Sequence, residues 1–159
     1  MFDGTVRWED LDWIRELWDR PILIKGVMHP EEAVRAADAG LDGVIVSNHG
    51  GRQFDHLPAT IDVLPEIVRA AGDRIEVLVD SGFRRGSDIA AALSLGAKAV
   101  LIGRAHLYGL AAAGEAGVRH CIDIIAHELR MTMALCGARS VAELDRDLIR
   151  RREPLTRTT

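Results

Sequence analysis

The chain has 159 residues, of which 48% are hydrophobic and 28% charged, and its 24 acidic and 20 basic side chains give a formal net charge of −4. This composition supplies enough apolar material for one compact core and is not typical of a disordered chain. Because acids and bases are evenly spread, no basic face predicts a nucleic acid partner. The sequence shows neither a signal peptide nor an apolar run of the ~20 residues that span a bilayer, so it predicts a cytoplasmic globular protein without a membrane segment.

Four short segments rich in β-branched residues predict the strands of one parallel sheet. They lie at residues 21–24, 43–46, 76–79 and 99–102. Their apolar side chains run continuously rather than alternating, which is typical of strands covered on both faces.

Helices are predicted after each strand. Pro30 and two following glutamates start the first helix, which ends near Gly40. Asp62 and Ser87 are the predicted N-caps of the second and third helices, which end near Gly72 and Gly96.

The remaining sequence after the fourth strand is predicted to be helical. A helix of small residues at 107–116 precedes a longer one at 118–135. The longer helix carries apolar residues at helical spacing, which predict a stripe facing the core. The stripe comprises Val118, Cys121, Ile122, Ile125, Leu129 and Met133. A capping box at 140–143 predicts a last short helix, and residues 151–159 are expected to form a disordered tail.

Four β/α units form either a small open α/β domain or half of a (β/α)₈ barrel, which typically has about 250 residues. Polar groups after four successive strands favour the barrel, because barrels build their active-site rim at the C-terminal strand ends. These groups are Lys25; Ser47, Asn48 and His49; Asp80, Ser81 and Gly82; and Gly103 and Arg104. Residues 1–150 are therefore predicted to form the C-terminal half of a TIM barrel, with strands five to eight and their helices.

The loop after the second strand combines groups suited to oxidation of a small hydroxy acid. His49 can accept a proton near neutral pH, and Arg52 can bind a carboxylate through two parallel hydrogen bonds. Taken singly, His49 and Arg52 could each equally be a structural or exposed residue without a role in catalysis. Lys25, at the predicted end of the first strand, is a fixed cation that could stabilise an anion such as a reduced flavin ring.

The last two strand ends predict a phosphate site. Glycines allow backbone N–H groups to approach the anion, arginines neutralise it, and a helix N-terminus adds a favourable dipole. Phosphate after the seventh and eighth strands is the common barrel arrangement, which supports numbering these strands five to eight. The contributing residues are Asp80, Ser81, Gly82, Phe83, Arg84, Gly103 and Arg104.

Other ligand motifs are missing from the sequence. It has no glycine-rich dinucleotide fingerprint and no nucleoside triphosphate loop. His127 and Glu128 begin a zinc-protease pattern, but Met131 stands where the second histidine is required, so we interpret them as a solvated helix pair and expect no metal site.

The motif-bearing segments resemble the FMN-dependent 2-hydroxy acid oxidases and dehydrogenases, the family of glycolate oxidase, lactate oxidase and mandelate dehydrogenase. The likeness runs from about Trp8 to Leu148 and is most specific at residues 24–27, 46–53, 80–88 and 102–104. It implies a TIM barrel that binds FMN and oxidises a small L-2-hydroxy acid to the 2-oxo acid. The sequences of residues 80–84 and 107–110 look closer to those of mandelate dehydrogenase than to those of the glycolate oxidases. This likeness favours a bulky or aromatic substrate.

The resemblance also implies a role for each site residue. Lys25 would contact the flavin ring near the negative charge of its reduced form, and Ser47 would touch the cofactor as well. His49 would be the catalytic base, and Arg52 would bind the substrate carboxylate. The ribityl phosphate would be held by Asp80, Ser81, Gly82, Phe83, Arg84, Gly103 and Arg104.

No part of the sequence matches the family's first four strands. The resemblance implies that those strands supply further flavin contacts, a second substrate-binding arginine, tyrosines near the substrate and an aspartate that orients the histidine. An open sheet edge at 22–24 predicts pairing with another chain, and hence a homo-oligomer.

Two other interpretations remain open. In one, the chain is a catalytically inactive half-barrel that self-associates and retains only the phosphate site of Gly82, Arg84 and Arg104. In the other, the chain belongs to a phosphate-binding barrel enzyme without flavin, such as an isomerase. This second interpretation does not explain why His49 and Arg52 occur together.

Overall fold

The computed structural model describes residues 7–150, so the tail predicted at 151–159 lies outside the described residues. Helices and strands alternate along the chain as expected. In order, the elements are α1 (Asp10–Leu17), β1 (Leu23–Val27), α2 (Pro30–Asp38), β2 (Gly43–Val46), a 3₁₀ turn (His49–Gly51), α3 (Thr60–Ala71), β3 (Glu76–Val79), α4 (Gly86–Ser94), β4 (Ala99–Val100), α5 (Arg104–Leu135) and two 3₁₀ turns (Val141–Glu143 and Arg146–Leu148).

The four strands form one parallel sheet in the order β1-β2-β3-β4. Each strand lies beside its neighbour in sequence, which is the strand order of a (β/α)₈ barrel. Strand β2 is covered on both faces as its sequence predicts, whereas β1 alternates between exposed and part-buried residues up to Val27 and β4 is not buried. The buried core joins strand residues to apolar faces of α2 and α3. Its most buried large side chains are Leu64, Ile67, Val44, Val46, Val77 and Val79.

The first strand begins and ends later than the predicted residues 21–24. Ile22 donates its N–H to the Asp42 side chain, Oδ2, at 2.8 Å, and not to a backbone carbonyl of the neighbouring strand. The strand then continues to Val27 through a bulge, since Lys25 pairs with Ile45 and Val27 with the next residue, Val46. The prediction that Lys25 follows the strand was therefore wrong: Lys25 lies within β1, just before the bulge.

The fourth strand is shorter than predicted. Only Ala99 and Val100 pair with β3, which itself ends at Val79. Leu101 still donates its N–H to the carbonyl of Val79 at 2.9 Å, so the apolar segment 99–102 follows the sheet one residue beyond the assigned strand.

Two of the predicted helix caps were wrong. Helix α3 begins at Thr60, and Asp62 lies in its first turn rather than at its cap. Helix α4 begins at Gly86, and Asp88 in its first turn accepts the N–H groups of the two residues before the helix, Arg84 and Arg85, at 3.0 Å each. In both cases the helix starts earlier because its first residues are fixed by tertiary contacts: Thr60 Oγ1 donates to the Asp80 carbonyl at 2.6 Å.

The segment from Arg104 to Leu135 is helical but breaks at Ala113 and Gly114, where the backbone leaves helical geometry. This break confirms the two predicted helices. Of the predicted apolar stripe, Ile125 is buried, whereas Ile122 is 49% exposed. The capping box at 140–143 starts a 3₁₀ turn rather than an α-helix. Within residues 7–150, no helix is long and apolar enough to cross a membrane.

Candidate active site

The C-terminal ends of the strands open into one cleft of about 880 Å³. Residues from all four strand ends line it. The lining includes every predicted site residue except Ser47: Lys25, His49, Arg52, Asp80, Ser81, Gly82, Phe83, Arg84, Gly103 and Arg104. Ser47 is 1% exposed and lies beneath the cleft floor.

Lys25, Ser47 and Asp80 form a hydrogen-bonded group across β1, β2 and the end of β3. The Lys25 Nζ donates to Ser47 Oγ at 2.9 Å and forms a salt bridge with Asp80 Oδ2, also at 2.9 Å. Ser81 Oγ donates to the other carboxylate oxygen, Oδ1, at 2.8 Å. The ammonium group is therefore held at a fixed point of the floor by two strands.

Asp80 stays ionised in this setting. Burial on its own would raise the pKa of the carboxyl group, but hydrogen bonds from Ser47, Lys25 and Ser81 outweigh burial and lower the pKa below its ordinary value of 3.8. An anion in this position orients Lys25, and it repels a phosphate.

His49 lies in a tight turn that brings its ring over β1. His49 itself has a φ of 55°, and Gly50 and Gly51, with φ of 69° and 74°, continue the left-handed path. Asn48 Oδ1 accepts the Gly50 N–H at 3.0 Å. A Cβ placed on Gly26, the bulge residue of β1, would lie 3.0 Å from the His49 Cε1, so only glycine leaves room for the imidazole.

Arg52 follows this turn and lies on the exposed rim of the cleft. One hydrogen bond links the start and the end of the long loop that carries Arg52: the Asn48 Nδ2 donates to the Pro58 carbonyl at 3.1 Å. Arg52 and His49 line the same cleft, and the exposed Arg52 side chain is accessible to a ligand there.

The far side of the cleft is suited to a phosphate group. Gly82 and Gly103 are exposed, and a Cβ placed on either would meet no atom within 4 Å, so open space lies beside the backbone there. Arg84 and Arg104 line the same side. Arg104 also donates to the Gly50 carbonyl at 3.2 Å, which connects this side to the His49 turn.

The helix whose first turn lines the cleft is α5, whereas the sequence predicts this role for the helix that follows residues 80–86, which is α4. The Gly86 N–H, the first amide of α4, already donates to Glu128 Oε2 at 2.9 Å, and Asp88 accepts the N–H groups of Arg84 and Arg85, the two residues before the helix. Helix α5 instead begins at the cleft, with Gly103 at its N-cap and residues 104–107 in the lining. Its positive end supplies the favourable dipole.

The interpretation of Glu128 as part of a solvated pair was wrong, because this carboxylate fixes α4 against α5. No group of three or more His, Cys, Asp or Glu side chains between residues 7 and 150 is placed to hold a metal ion.

Sequence reasoning also left Gly26 without a role, although an isolated glycine inside a strand signals a bulge or a close approach. It likewise assigned no role to Gln53 or to residues 105–107, which line the cleft. For Glu128 the sequence carries no signal, because its partner Gly86 is 42 positions away.

The chain is similar in sequence to known proteins over most of its length. The chain is 51% identical to a peroxisomal (S)-2-hydroxyacid oxidase of Arabidopsis thaliana, over 94% of this chain and 41% of the relative. It is 52% identical to an L-lactate dehydrogenase of Caulobacter vibrioides, over 96% of this chain and 40% of the relative. The chain therefore spans about 40% of the length of these relatives.

Solved structures show the same correspondence. A soluble mutant of the membrane-associated (S)-mandelate dehydrogenase of Pseudomonas putida superposes with a TM-score of 0.89 at 47% identity, covering 92% of this chain and 42% of that one. The predicted fold, half of a TIM barrel, is confirmed. Residues 1–151 match the family of FMN-dependent dehydrogenases. The chain belongs to that family, whose members are FMN-dependent enzymes that oxidise 2-hydroxy acids.

Proposed function

We propose that this chain provides the substrate-binding and phosphate-binding half of an enzyme that uses FMN to oxidise a small L-2-hydroxy acid to the 2-oxo acid. The observation that carries the proposal is the convergence of Lys25, His49 and Arg52 with an arginine-lined anion site in a single cleft. Because the chain spans about 40% of its relatives, the activity requires the other four barrel strands.

The described residues fit FMN. Gly82 and Gly103 leave open space for an anion, and Arg84, Arg104 and the N-terminus of α5 would hold the ribityl phosphate. We assign Asp80 and Ser81 to the orientation of Lys25, since a carboxylate cannot bind phosphate without a bridging cation. Phe83, which is buried, would position the backbone of this segment. Lys25 would face the flavin ring, and Ser47 would hold the Lys25 ammonium group in place by accepting its hydrogen bond.

These positions suggest a role for each residue in the reaction. FMN supplies the two-electron acceptor. Arg52 binds the substrate carboxylate through parallel hydrogen bonds and so places the 2-carbon in the cleft. A ring nitrogen of His49 would accept one of the two protons that the substrate H–C–OH unit loses, and the second would pass with the two electrons to the flavin. The Lys25 ammonium, fixed by Ser47 and Asp80, stabilises the negative charge that develops at the flavin ring.

We further propose a substrate with a sizeable apolar group. Leu101 and Leu107 line the cleft beside its charged residues. Related structures also include mandelate dehydrogenase and mandelate oxidase, at 46 to 47% identity. Relative turnover of mandelate, lactate and glycolate tests this preference, and glycolate as the best substrate would refute it.

A chimera tests the function of this chain directly. Its residues replace the matched segment of the Caulobacter vibrioides L-lactate dehydrogenase, so that the remaining strands come from a relative 52% identical over this region. We expect FMN to bind and to be reduced by a 2-hydroxy acid. The variant His49→Gln should keep FMN but lose turnover by about 10²–10⁴-fold, the usual contribution of a general base. A chimera that binds FMN and is not reduced by lactate, mandelate or glycolate would refute the proposal.

A second candidate function applies to the chain without other strands. In the described residues β1 and β4 each pair with a strand on one side only, which leaves two open edges. The isolated chain would then be an inactive half-barrel that binds phosphate or FMN at Gly82, Arg84 and Arg104 and self-associates. Flavin binding without turnover, with a dimer in sedimentation, supports this candidate, whereas a monomer that oxidises substrate excludes it.

We also propose a homo-oligomer in the cytoplasm for the complete enzyme, as the sequence predicts. Sedimentation of the chimera and fractionation of cells that express the native gene test these two points. Recovery of the enzyme with membranes or peroxisomes would refute the location.

A further inference from the structure

Ser81 adopts a backbone conformation that serine rarely occupies. Its φ is 75°, and the next residue, Gly82, has a φ of 89°, so two left-handed residues follow the end of β3. Glycine would occupy the first of these positions without strain, as it does the second. A strained residue that persists beside a functional cleft calls for a compensating contact.

The Ser81 hydroxyl provides such a contact in two directions. It donates to Asp80 Oδ1 at 2.8 Å, and Asp80 in turn holds the Lys25 ammonium at 2.9 Å. It also accepts the Gly50 N–H at 3.1 Å, and Gly50 directly follows His49. One hydroxyl therefore joins the cation on the cleft floor to the turn that carries the histidine.

Gly50 is held from its other side as well. Its carbonyl accepts from Arg104 at 3.2 Å, and a Cβ at Gly50 would lie 2.9 Å from the Arg104 guanidinium. The peptide between His49 and Arg52 is thus contacted by groups that follow β3 and β4, and the φ of 69° at Gly50 favours glycine at this position.

Resting on the proposed function, we propose that Ser81 is a positioning residue that keeps the His49 turn in register with the Lys25–Asp80 pair. It acts through Gly50 and Asp80 and does not bind the cofactor. The Ser81 hydroxyl supplies two hydrogen bonds that the less strained glycine could not make.

Two substitutions separate the hydroxyl from the backbone strain. Ser81→Gly removes both the hydroxyl and the strain, and Ser81→Ala removes only the hydroxyl. Ser87→Ala, which deletes an exposed hydroxyl in the first turn of α4, is the matched control. The first readout is amide hydrogen exchange of the whole 159-residue chain without FMN. We expect the Gly50 amide to exchange about fivefold faster in both Ser81 variants, because one of its two acceptors is lost, and to be unchanged in the control.

The second readout uses the chimera loaded with FMN. Both Ser81 variants should lower kcat/KM for the 2-hydroxy acid about tenfold, the equivalent of one lost hydrogen bond, and shift its pH profile, while FMN affinity stays within about threefold. Wild-type exchange and kinetics in Ser81→Gly would overturn the inference, as would a parallel loss of FMN affinity, which would make Ser81 a cofactor contact. A wild-type chimera without turnover refutes the proposed function instead, and Gly50 exchange then decides the inference by itself.

Discussion

Replacing Asp80 by asparagine tests whether charge holds Lys25 in place. The substitution keeps the shape of the side chain but removes the anion that lies 2.9 Å from Nζ. A hydrogen bond to a charged group contributes about 1.5–3 kcal/mol, and the 38% exposure of the Lys25 side chain allows water to recover part of this. We therefore expect the free energy of unfolding to fall by about 1–2 kcal/mol near pH 7, and Tm by about 2–8 °C in a chain of this size.

The pH dependence of this loss has a definite sign. The pKa of Asp80 is lowered in the folded protein, since hydrogen bonds from Ser47, Lys25 and Ser81 outweigh the effect of burial. The carboxylate therefore stabilises the fold fully above its ordinary pKa of 3.8, and this stabilisation is lost as the pH falls through the lowered value. Asparagine does not titrate, so the difference between wild type and Asp80→Asn should narrow as the pH falls below about 4.

Urea unfolding followed by circular dichroism measures both effects. Asp38→Asn is the matched control, because Asp38 forms a 2.7 Å salt bridge with Arg74 in which both side chains are about half exposed. Its loss should cost less than about 1 kcal/mol. Our reasoning is refuted if Asp80→Asn matches wild type near neutral pH, or if its deficit persists undiminished in acid. A double-mutant cycle with Lys25→Met assigns the energy to the pair.

Three further substitutions test other contacts. Gly26→Ala places a methyl group 3.0 Å from the His49 ring at a φ of 105°, so thermal unfolding should show a loss of about 1–2 kcal/mol and kinetics of the chimera a loss of turnover. Arg52→Lys keeps the charge but not the paired hydrogen bonds, and steady-state kinetics should show KM raised about 10–100-fold with FMN affinity unchanged. Gly86→Ala brings a methyl group into the backbone of Leu129, and urea unfolding should show a loss of at least about 2 kcal/mol from overpacking.

The sequence predicts the sheet well because its signal is local. Strands β2 and β3 each begin at a residue that is not β-branched, Gly43 and Glu76, and continue with three apolar residues, and their observed bounds are the predicted ones. The cleft residues were predictable for a related reason: parallel strands bring their C-terminal ends together, so polar groups after each strand converge without knowledge of the tertiary structure.

Features that depend on contacts distant in sequence were missed or misread. The start of α4 is set by Asp88 within the helix and by Glu128 on α5, and a local pattern reports only the first. Lys25 lies inside β1 and not at its end as predicted, because β1 continues through the bulge at Gly26 to pair with β2 as far as Val27. This continuation depends on the register with the neighbouring strand. In each case a partner in another element decided between locally equivalent choices.

The charges of the cleft separate the proposed reaction from simple phosphate binding. Among the residues that line it, Lys and Arg contribute four cations and Asp80 the single carboxylate, although the chain as a whole has a net charge of −4. A phosphate site accounts for Arg84 and Arg104 alone. Lys25 pairs with Asp80 at the floor and Arg52 lies on the exposed rim, and each can face a further anion in the cleft. The proposed reaction supplies both, as the charge of a reduced flavin ring and the carboxylate of the substrate, and so assigns every fixed cation of the cleft a partner.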